Sequence, residues 1–311
     1  MSSSVLSGRR ALITGATDGI GRHTAAGLAD RGAHVTIVGR DQVRGRTAAV
    51  DITRETGNPE VEFVSADLST RSGVRALAER IGTGPLDILI NNVGGLYMTR
   101  WETEDGVEAS LAMNALNPLL LTTLLQPALA AAPAARVVYV TGGMPGRIDP
   151  AALQSTDKYL GMRTYSHTKS VMMALAYEQA QRWRPTGITV NVAYPGGADT
   201  PMTRAMTPAG VPMPMRAVWP LFKPIMARAR PERAARSSIT LASEPGLAGV
   251  TGTYVNTRSK PARWPADVLD PALRGRLWAT ARALLGLPAQ DDAVGGPGAP
   301  SGGGRTGDHR P

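Results

Sequence analysis

The stretch Ala11-Leu-Ile-Thr-Gly-Ala-Thr-Asp-Gly-Ile-Gly21 decides the fold of this chain. It starts with a short apolar run typical of a buried strand, and a helical pattern follows from Arg22 to about Arg31. Its three glycines allow a tight turn and let backbone N–H groups approach a ligand, while the helix N-terminus adds positive potential. We therefore predict the phosphate-binding turn of a dinucleotide-binding fold, with a ligand-free glycine turn as the alternative.

Short β-branched runs and longer helical patterns alternate through most of the chain, which is typical of βαβ units. Seven strands are predicted, at Ala11–Ile13, Val35–Val38, Val61–Val64, Ile88–Ile90, Val137–Val140, Ile188–Val192 and Thr253–Val255. Helical patterns include Leu111–Leu129, Tyr165–Arg182 and Glu232–Ala242. We predict an α/β fold, with a single Rossmann-type doubly wound parallel sheet of about seven strands and helices on both faces.

Two segments differ in composition from this region. Residues 196–231 are rich in Pro and Met, which excludes one regular helix and predicts a substrate lid within a domain of residues 1–288. Its large apolar side chains predict a hydrophobic small-molecule substrate, and a membrane-surface segment is the alternative. These side chains are Met202, Met206, Met213, Met215, Trp219, Phe222 and Met226. The Gly- and Pro-rich residues 289–311 are predicted to form a disordered tail.

Composition excludes several classes of protein. The chain has 311 residues, of which 42% are hydrophobic and 19% charged, so it has enough apolar material for a core. It has no Cys and four scattered His, so we predict no metal site and no thiol chemistry. The net charge of +9 is mostly dispersed Arg, and we expect no nucleic-acid partner. No signal peptide or transmembrane segment is evident, so a cytoplasmic location is expected.

The end of the second strand bears on the choice of dinucleotide. It reads Gly39-Arg40, with no carboxylate at the strand tip to bind the adenosine ribose. The guanidinium of Arg40 suits a 2′-phosphate, so NADP(H) is predicted over NAD(H). Asp41 follows directly and is the alternative contact to the ribose.

Four motifs occur in a characteristic order, namely Thr14-Gly-x-x-x-Gly-x-Gly21, Asn91-Asn-Val-Gly94, Tyr165-x-x-x-Lys169 and Pro195-Gly196. Together they resemble the short-chain dehydrogenase/reductase family, and further details look most like its retinol-dehydrogenase-like branch as found in bacteria. The resemblance implies an oxidoreductase that forms homodimers or homotetramers. An Ala, Arg, Gly and Pro bias suggests specialised metabolism by analogy.

The pair Tyr165 and Lys169 is the predicted catalytic centre. The spacing i, i+4 puts both on one helix face, where the cation should lower the pKa of the phenol towards neutrality. The resemblance implies that Tyr165 exchanges a proton with the substrate oxygen and that Lys169 also holds the nicotinamide ribose. It further implies that Asn114 holds a water of the proton relay.

The resemblance also implies the residues that bind the cofactor NADP(H). Thr200 would contact the nicotinamide carboxamide and Asp67 the adenine, although Asp67 capping its own loop is the alternative. The full set is Thr14, Gly15, Thr17, Asp18, Gly19, Ile20, Gly21, Arg40, Asp67, Leu68, Asn91, Val93, Gly94, Tyr165, Lys169, Pro195, Gly196 and Thr200.

The catalytic Ser that the family has after the fifth strand is missing here. The chain reads Val140-Thr-Gly-Gly-Met144, so the Ser position falls on Gly142 without a gap, or on Thr141 with one deletion. We predict that Thr141 replaces the Ser. The alternatives are a hydroxyl from Ser155, Thr156, Thr164 or the substrate, or impaired redox activity, as in an enzyme of non-redox chemistry or a dinucleotide sensor. His167 is expected to make a structural contact.

Overall fold

The computed structural model describes residues 5–155, 159–204 and 229–288. A seven-stranded sheet in the order β3-β2-β1-β4-β5-β6-β7 forms its centre. Every neighbouring pair of strands is parallel. The strands are β1 (Arg10–Thr14), β2 (His34–Gly39), β3 (Val61–Ser65), β4 (Ile88–Asn91), β5 (Arg136–Val140), β6 (Thr189–Ala193) and β7 (Tyr254–Val255). The predicted number and positions of the strands are confirmed.

Eleven α-helices are present within the described ranges. They are α1 (Gly19–Ala29), α2 (Gln42–Thr56), α3 (Arg71–Ile81), α4 (Ala109–Leu111), α5 (Asn117–Leu124), α6 (Gln126–Ala130), α7 (Gly161–Arg182), α8 (Pro201–Arg204), α9 (Pro231–Ser243), α10 (Ala266–Leu269) and α11 (Pro271–Leu285). Short 3₁₀ turns lie at Pro150–Ala152, Arg184–Thr186 and Pro245–Leu247.

The sheet is covered on both faces, so successive side chains of one strand enter different cores. Leu12 of β1 belongs to a core with residues of α3, α5, α7 and α11. Ile13 belongs to a second core with residues of α1, α2 and α9. Both side chains are fully buried. Burial on both faces explains why the strands are apolar without alternation, and the doubly wound α/β prediction is confirmed.

The predicted helix Leu111–Leu129 is wrong in detail, because the structure interrupts it twice. Residues Ala112–Leu116 form a π-helical turn between α4 and α5, and Leu125 separates α5 from α6. Pro118 has no N–H to donate to the carbonyl of Asn114, and its ring excludes regular helix there. The π-turn thereby sets the direction of the Asn114 side chain.

The order of the strands creates a crevice. The chain runs outward from β1 to β2 and β3 and then returns to place β4 on the other side of β1. Loops that leave β1 and β4 therefore diverge at the carboxyl ends of these strands, where doubly wound sheets bind ligands. Residues 205–228 of the predicted lid and the whole predicted tail lie outside the described residues, so both stay predictions.

Candidate active site

The glycine turn after β1 is held in shape by the neighbouring strand. Gly15 and Gly19 have φ of +63° and +54°, a conformation that favours glycine. The Asn92 amide donates to the carbonyls of Thr14 (2.9 Å) and Gly15 (3.0 Å). A Cβ on Gly21 would lie 2.4 Å from that amide nitrogen, so only glycine fits there. The sequence analysis missed Asn92 as a site residue, although its place directly after β4 is a signal for it.

Thr14 joins the turn to the end of β4. Its Oγ1 accepts hydrogen bonds from the backbone N–H of Asn92 (3.0 Å) and of Val93 (3.1 Å). The segment after β6 reaches the same place, because Thr200 Cγ2 lies 3.0 Å from where a Cβ of Gly19 would be. The turn thus brings its backbone to the N-terminus of α1, where Asp18 Oδ1 accepts from the N–H of Gly19 (2.6 Å), and this helix end suits the pyrophosphate of a dinucleotide.

At the tip of β2 the two charged residues have separate tasks. The Asp41 carboxylate accepts from the N–H of Arg44 (3.0 Å) and caps the N-terminus of α2. Arg40 is exposed, and it takes part in none of the ion pairs between described residues. Thr17 of the glycine turn packs beside Gly39, where a Cβ would lie 2.5 Å from Thr17 Cγ2. Arg40 therefore stands next to the turn with its guanidinium available to a ligand.

The segment after β3 lies near this tip. Ser65 Oγ donates to the carbonyl of Arg40 (3.2 Å). Asp67 is exposed, and its carboxylate accepts from the N–H of Ser69 (3.0 Å), so Asp67 caps its own loop. The Leu68 carbonyl accepts from the Asn117 amide (2.8 Å). The predicted contact of Asp67 with adenine stays a prediction.

Helix α7 brings Tyr165 and Lys169 to the ends of β4 and β5. Both side chains are buried, and Lys169 Nζ donates to the carbonyl of Val140 (2.9 Å). The same ammonium lies 3.0 Å from where a Cβ of Gly94 would be, so Gly94 leaves the space that Lys169 occupies. Gly94 is exposed, so the site opens at this point.

Burial governs the ionisation of both groups. Loss of hydration lowers the pKa of Lys169 to about 8. Burial raises the pKa of the Tyr165 phenol, and the nearby Tyr194 raises it further. This differs from the expectation that Lys169 lowers the pKa of Tyr165. The physical reason is that burial is the largest cause of the shift at the phenol, while the ammonium donates to the Val140 carbonyl.

Asn114, in the π-turn, links the β4 loop to α7. Its Oδ1 accepts from the N–H of Gly95 (2.8 Å), and its Nδ2 donates to the Gly95 carbonyl (2.9 Å) and to Thr168 Oγ1 (3.1 Å). Asn114 is completely buried, so these bonds replace its hydration. It fixes the backbone beside Gly94 and the residue before Lys169. The water-holding role stays a prediction.

The position that faces the Tyr165 hydroxyl is Gly142. A Cβ on Gly142 would lie 2.3 Å from Tyr165 Oη, and its three nearest atoms all belong to that phenol. Thr141 precedes it and is buried, with its Oγ1 unpartnered. This geometry supports the alignment without a gap. The replacement of the Ser by Thr141 stays a prediction, and Thr156, a further candidate donor, lies outside the described residues.

His167 lies between Tyr165 and Lys169 in α7 and contacts the loop after β5. Its Nε2 accepts a hydrogen bond from the N–H of Asp149 (3.0 Å), which ties the loop after β5 to α7. Burial lowers the pKa of His167. The structure thus gives His167 the structural contact expected of it.

No helix within the described ranges has the length and apolar character needed to cross a membrane.

Comparisons with known proteins agree with the geometry. Residues 9–209 match the short chain dehydrogenase family. The chain is 33% identical to human retinol dehydrogenase 13, over 93% of this chain and 88% of that protein. It is 36% identical to mouse polyprenol dehydrogenase, over 91% and 86%. A solved structure, the Pseudomonas aeruginosa RhlG/NADP active-site complex, is similar with a TM-score of 0.63 and 29% identity, over 82% of this chain and 97% of that one. The chain belongs to the short-chain dehydrogenase/reductase family of oxidoreductases, in its retinol-dehydrogenase-like branch.

Proposed function

We propose that the protein is an NADP(H)-dependent oxidoreductase that interconverts a ketone or aldehyde with an alcohol on a hydrophobic small molecule. The observation that carries this proposal is the meeting of Lys169 and Asn114 at the exposed Gly94, with Tyr165 at Gly142, where the ends of the paired strands β4 and β5 lie side by side. A phenol, an ammonium and a buried amide at this place suit a proton transfer coupled to hydride transfer.

The preference for NADP(H) rests on the tip of β2. Asp41 is engaged as a helix cap, while Arg40 is exposed beside Thr17 of the glycine turn. A planar guanidinium binds a phosphate through paired charge-assisted hydrogen bonds, whereas a ribose hydroxyl would favour a carboxylate. The RhlG structure contains NADP, which is in line with this preference.

Different residues would bind the cofactor and transfer the proton. The glycine turn would hold the pyrophosphate of the cofactor, Thr200 its nicotinamide carboxamide and Lys169 its nicotinamide ribose. The bound nicotinamide supplies or accepts the hydride. Tyr165 gives a proton to the carbonyl oxygen in reduction and takes it back in oxidation. Asn114 keeps the backbone around Gly95 in place and would hold the water that returns the proton to Tyr165.

Two observations support a hydrophobic substrate. The predicted lid is rich in Met and aromatic side chains. Two relatives carry the names of retinol and polyprenol dehydrogenases, and both of these alcohols are apolar. Specialised metabolism, a cytoplasmic location and assembly into two or four subunits stay predictions.

Reduction of apolar ketones and aldehydes by NADPH, followed by the absorbance of the reduced nicotinamide, tests the proposal. We expect turnover by the unmodified protein and a loss of at least about a hundredfold in Tyr165→Phe, with NADPH affinity unchanged. Tyr177→Phe is the matched control, because Tyr177 packs on Trp264 away from the crevice. Turnover that survives in Tyr165→Phe would remove the phenol from the mechanism.

Gly142 favours a second candidate function. Without the family's hydroxyl at this position, the site has lost a group that stabilises the reacting oxygen. An enzyme of non-redox chemistry, such as a cyclase or epimerase, or a dinucleotide sensor would tolerate this loss. Tight NADPH binding without reduction of any carbonyl in the panel would favour these functions over the oxidoreductase.

A further inference from the structure

The glycine at position 142 is there for space and not for backbone conformation. Gly143 has φ of +68°, whereas Gly142 is outside the left-handed region. The three atoms nearest to a Cβ on Gly142 are Tyr165 Oη, Cζ and Cε1, at 2.3, 3.3 and 3.6 Å. Tyr165 Oη therefore occupies the space of the missing side chain, and the protein contributes no hydroxyl from residue 142 to the reacting oxygen.

Of three polar groups near Gly142, one is engaged, one is closed off and one lies beside the next residue. Lys169 Nζ donates to the Val140 carbonyl. Thr141 Oγ1 has less than 1 Å² of exposed surface, so a substrate oxygen reaches it only if the end of β5 moves. Ser166 Oγ lies 2.8 Å from where a Cβ of Gly143 would be, on the Cδ1 edge of the Tyr165 ring. Within residues 5–155, 159–204 and 229–288, Tyr165 is thus the hydrogen-bond donor that we assign to the reacting oxygen.

We propose that the substrate supplies the second hydrogen-bond donor itself. The favoured substrates are hydrophobic ketones with a hydroxyl placed to hydrogen-bond their own carbonyl, such as β-hydroxyketones and ortho-hydroxyaryl ketones. Such a bond strengthens as negative charge develops on the oxygen, which is the task of the missing Ser. The inference rests on the proposed function and specifies its substrate class.

The reaction balances without a further reactant. The carbonyl carbon gains hydride from NADPH, which is oxidised to NADP⁺, and the C=O π bond breaks. The carbonyl oxygen takes the Tyr165 proton, and solvent returns a proton to Tyr165. The hydroxyl of the substrate keeps its own proton throughout, so it acts as a donor and not as an acid.

Two isomeric hydroxyketones and their parent ketone test the inference with the unmodified protein and NADPH. 2′-Hydroxyacetophenone has the intramolecular bond, 4′-hydroxyacetophenone has the same substituent without it, and acetophenone has neither. We expect kcat/KM for the 2′-isomer to exceed that for the 4′-isomer by at least about tenfold. Equal values for the two isomers would overturn the inference and leave the oxidoreductase intact. If the protein reduces none of these three ketones and none of the apolar ketones and aldehydes tested above, the proposed function itself is overturned.

Two substitutions at Gly142 separate the hydroxyl from the added bulk. Gly142→Ala and Gly142→Ser both add a Cβ that displaces Tyr165, but only Ser adds a donor. We expect the preference for the 2′-isomer to persist in Gly142→Ala and to fall towards unity in Gly142→Ser. A preference unchanged in Gly142→Ser contradicts the inference. If both variants are inactive, the ratio in the unmodified protein decides.

A binding measurement excludes a preference that arises from shape. Dissociation constants of the two isomers from the protein with NADP⁺ are measured by calorimetry, where no reduction occurs. We expect them to agree within about threefold, because the hydroxyl acts on charge that develops in the transition state. A difference in affinity as large as that in kcat/KM would overturn the inference. A second outcome would also overturn the inference. If Thr141→Val lowers kcat/KM equally for all three ketones, and the unmodified protein shows no preference for the 2′-isomer, then Thr141 is the second hydrogen-bond donor.

Discussion

Two adjacent residues of opposite charge, Arg40 and Asp41, show how one helix cap affects recognition of a ligand. Had Asp41 been free, its carboxylate would repel a 2′-phosphate and compete for Arg40. Its hydrogen bond to the Arg44 N–H directs it to the N-terminus of α2, where negative charge is favourable. The guanidinium then remains the group that a 2′-phosphate meets.

Replacing Arg40 by Ala should therefore discriminate between the two dinucleotides. We expect NADPH binding to weaken by about 1 to 3 kcal/mol, the range of a charge-assisted hydrogen bond, and NADH binding to change little. Arg46→Ala is the matched control, since Arg46 is exposed on α2 and contacts Gln42. Fluorescence titration measures the four dissociation constants, and equal losses for both cofactors would contradict the role of Arg40.

Asn114 is the basis of a second prediction, because its replacement leaves backbone groups without a hydrogen-bond partner. In Asn114→Ala the N–H and C=O of Gly95 lose their partner, and each buried unpaired group costs about 1 to 3 kcal/mol. We expect a lower free energy of unfolding in urea and weaker NADPH binding. Asn117→Ala is the comparison, since it breaks one bond, to the Leu68 carbonyl. Equal stability of Asn114→Ala and the unmodified protein would contradict this account.

Among the elements, α7 does more than carry Tyr165 and Lys169. Ser170 Oγ accepts from the Gly146 N–H (3.0 Å) and His167 accepts from the Asp149 N–H, so one helix face holds the loop that follows β5. The loop is further fixed by the Asp267 carboxylate, which accepts from the Ile148 N–H (2.7 Å). This loop begins at Thr141 and contains Gly142, so its anchoring also fixes the position beside Tyr165.

The contact of His167 makes this anchoring sensitive to pH. Burial holds the pKa of His167 below its ordinary value of 6.5, so the unfolded chain binds the proton at a higher pH than the folded protein. The stabilisation is complete above about pH 6.5 and is lost as the pH falls through the lower pKa of the folded protein. The neighbouring Asp149 opposes this shift and Arg163 adds to it.

In unfolding experiments, the comparison is between the unmodified protein and His167→Gln, which keeps an acceptor but does not titrate. On acidification from about pH 8 to about pH 5 we expect the unmodified protein to lose about 1 kcal/mol more stability than the variant. Parallel losses in both proteins would show that His167 does not contribute to the pH dependence.

The interruption of the helix over 109–130 shows what periodicity alone misses. The apolar pattern there continues through the π-turn, since a helix of either type buries the same residues. The signal that marks the break is Pro118, four residues after Asn114. Its missing N–H frees the Asn114 carbonyl, and the added residue in the turn reorients Asn114 towards Gly95.

At the scale of the whole molecule, the sheet order gathers residues that are far apart in the chain. The strands were predictable because each is a buried β-branched run bounded by turn residues. The site was predictable as motifs, since Gly19, Asn91 and Tyr165 follow such strands or open helices. The contact of Gly142 with Tyr165 could not be predicted from the sequence, because it depends on how α7 packs against the end of β5. The pKa of Lys169 likewise depends on burial that only the tertiary structure creates.

The domain should be complete without residues 289–311. Helix α11 ends at Leu285 with Gly286 in the left-handed conformation, and Arg282 Nε donates to the Pro288 carbonyl, so the helix end is satisfied within the described residues. Truncation after Pro288 is expected to leave the melting temperature and NADPH affinity unchanged. Calorimetry and cofactor titration of the two forms check this, and a large drop in either would show that residues 289–311 contribute to the domain.

Gly142 also constrains how this site can evolve. The glycine codons GGC and GGT become serine codons by a single base change. A serine at 142 nevertheless needs the phenol to shift, because its Cβ would lie 2.3 Å from Oη of the buried Tyr165. Changes around Tyr165 that give the phenol a new position should therefore favour a serine at 142. In laboratory evolution, active serine variants should emerge from libraries that vary Gly142 together with neighbours of Tyr165, and seldom from Gly142 alone.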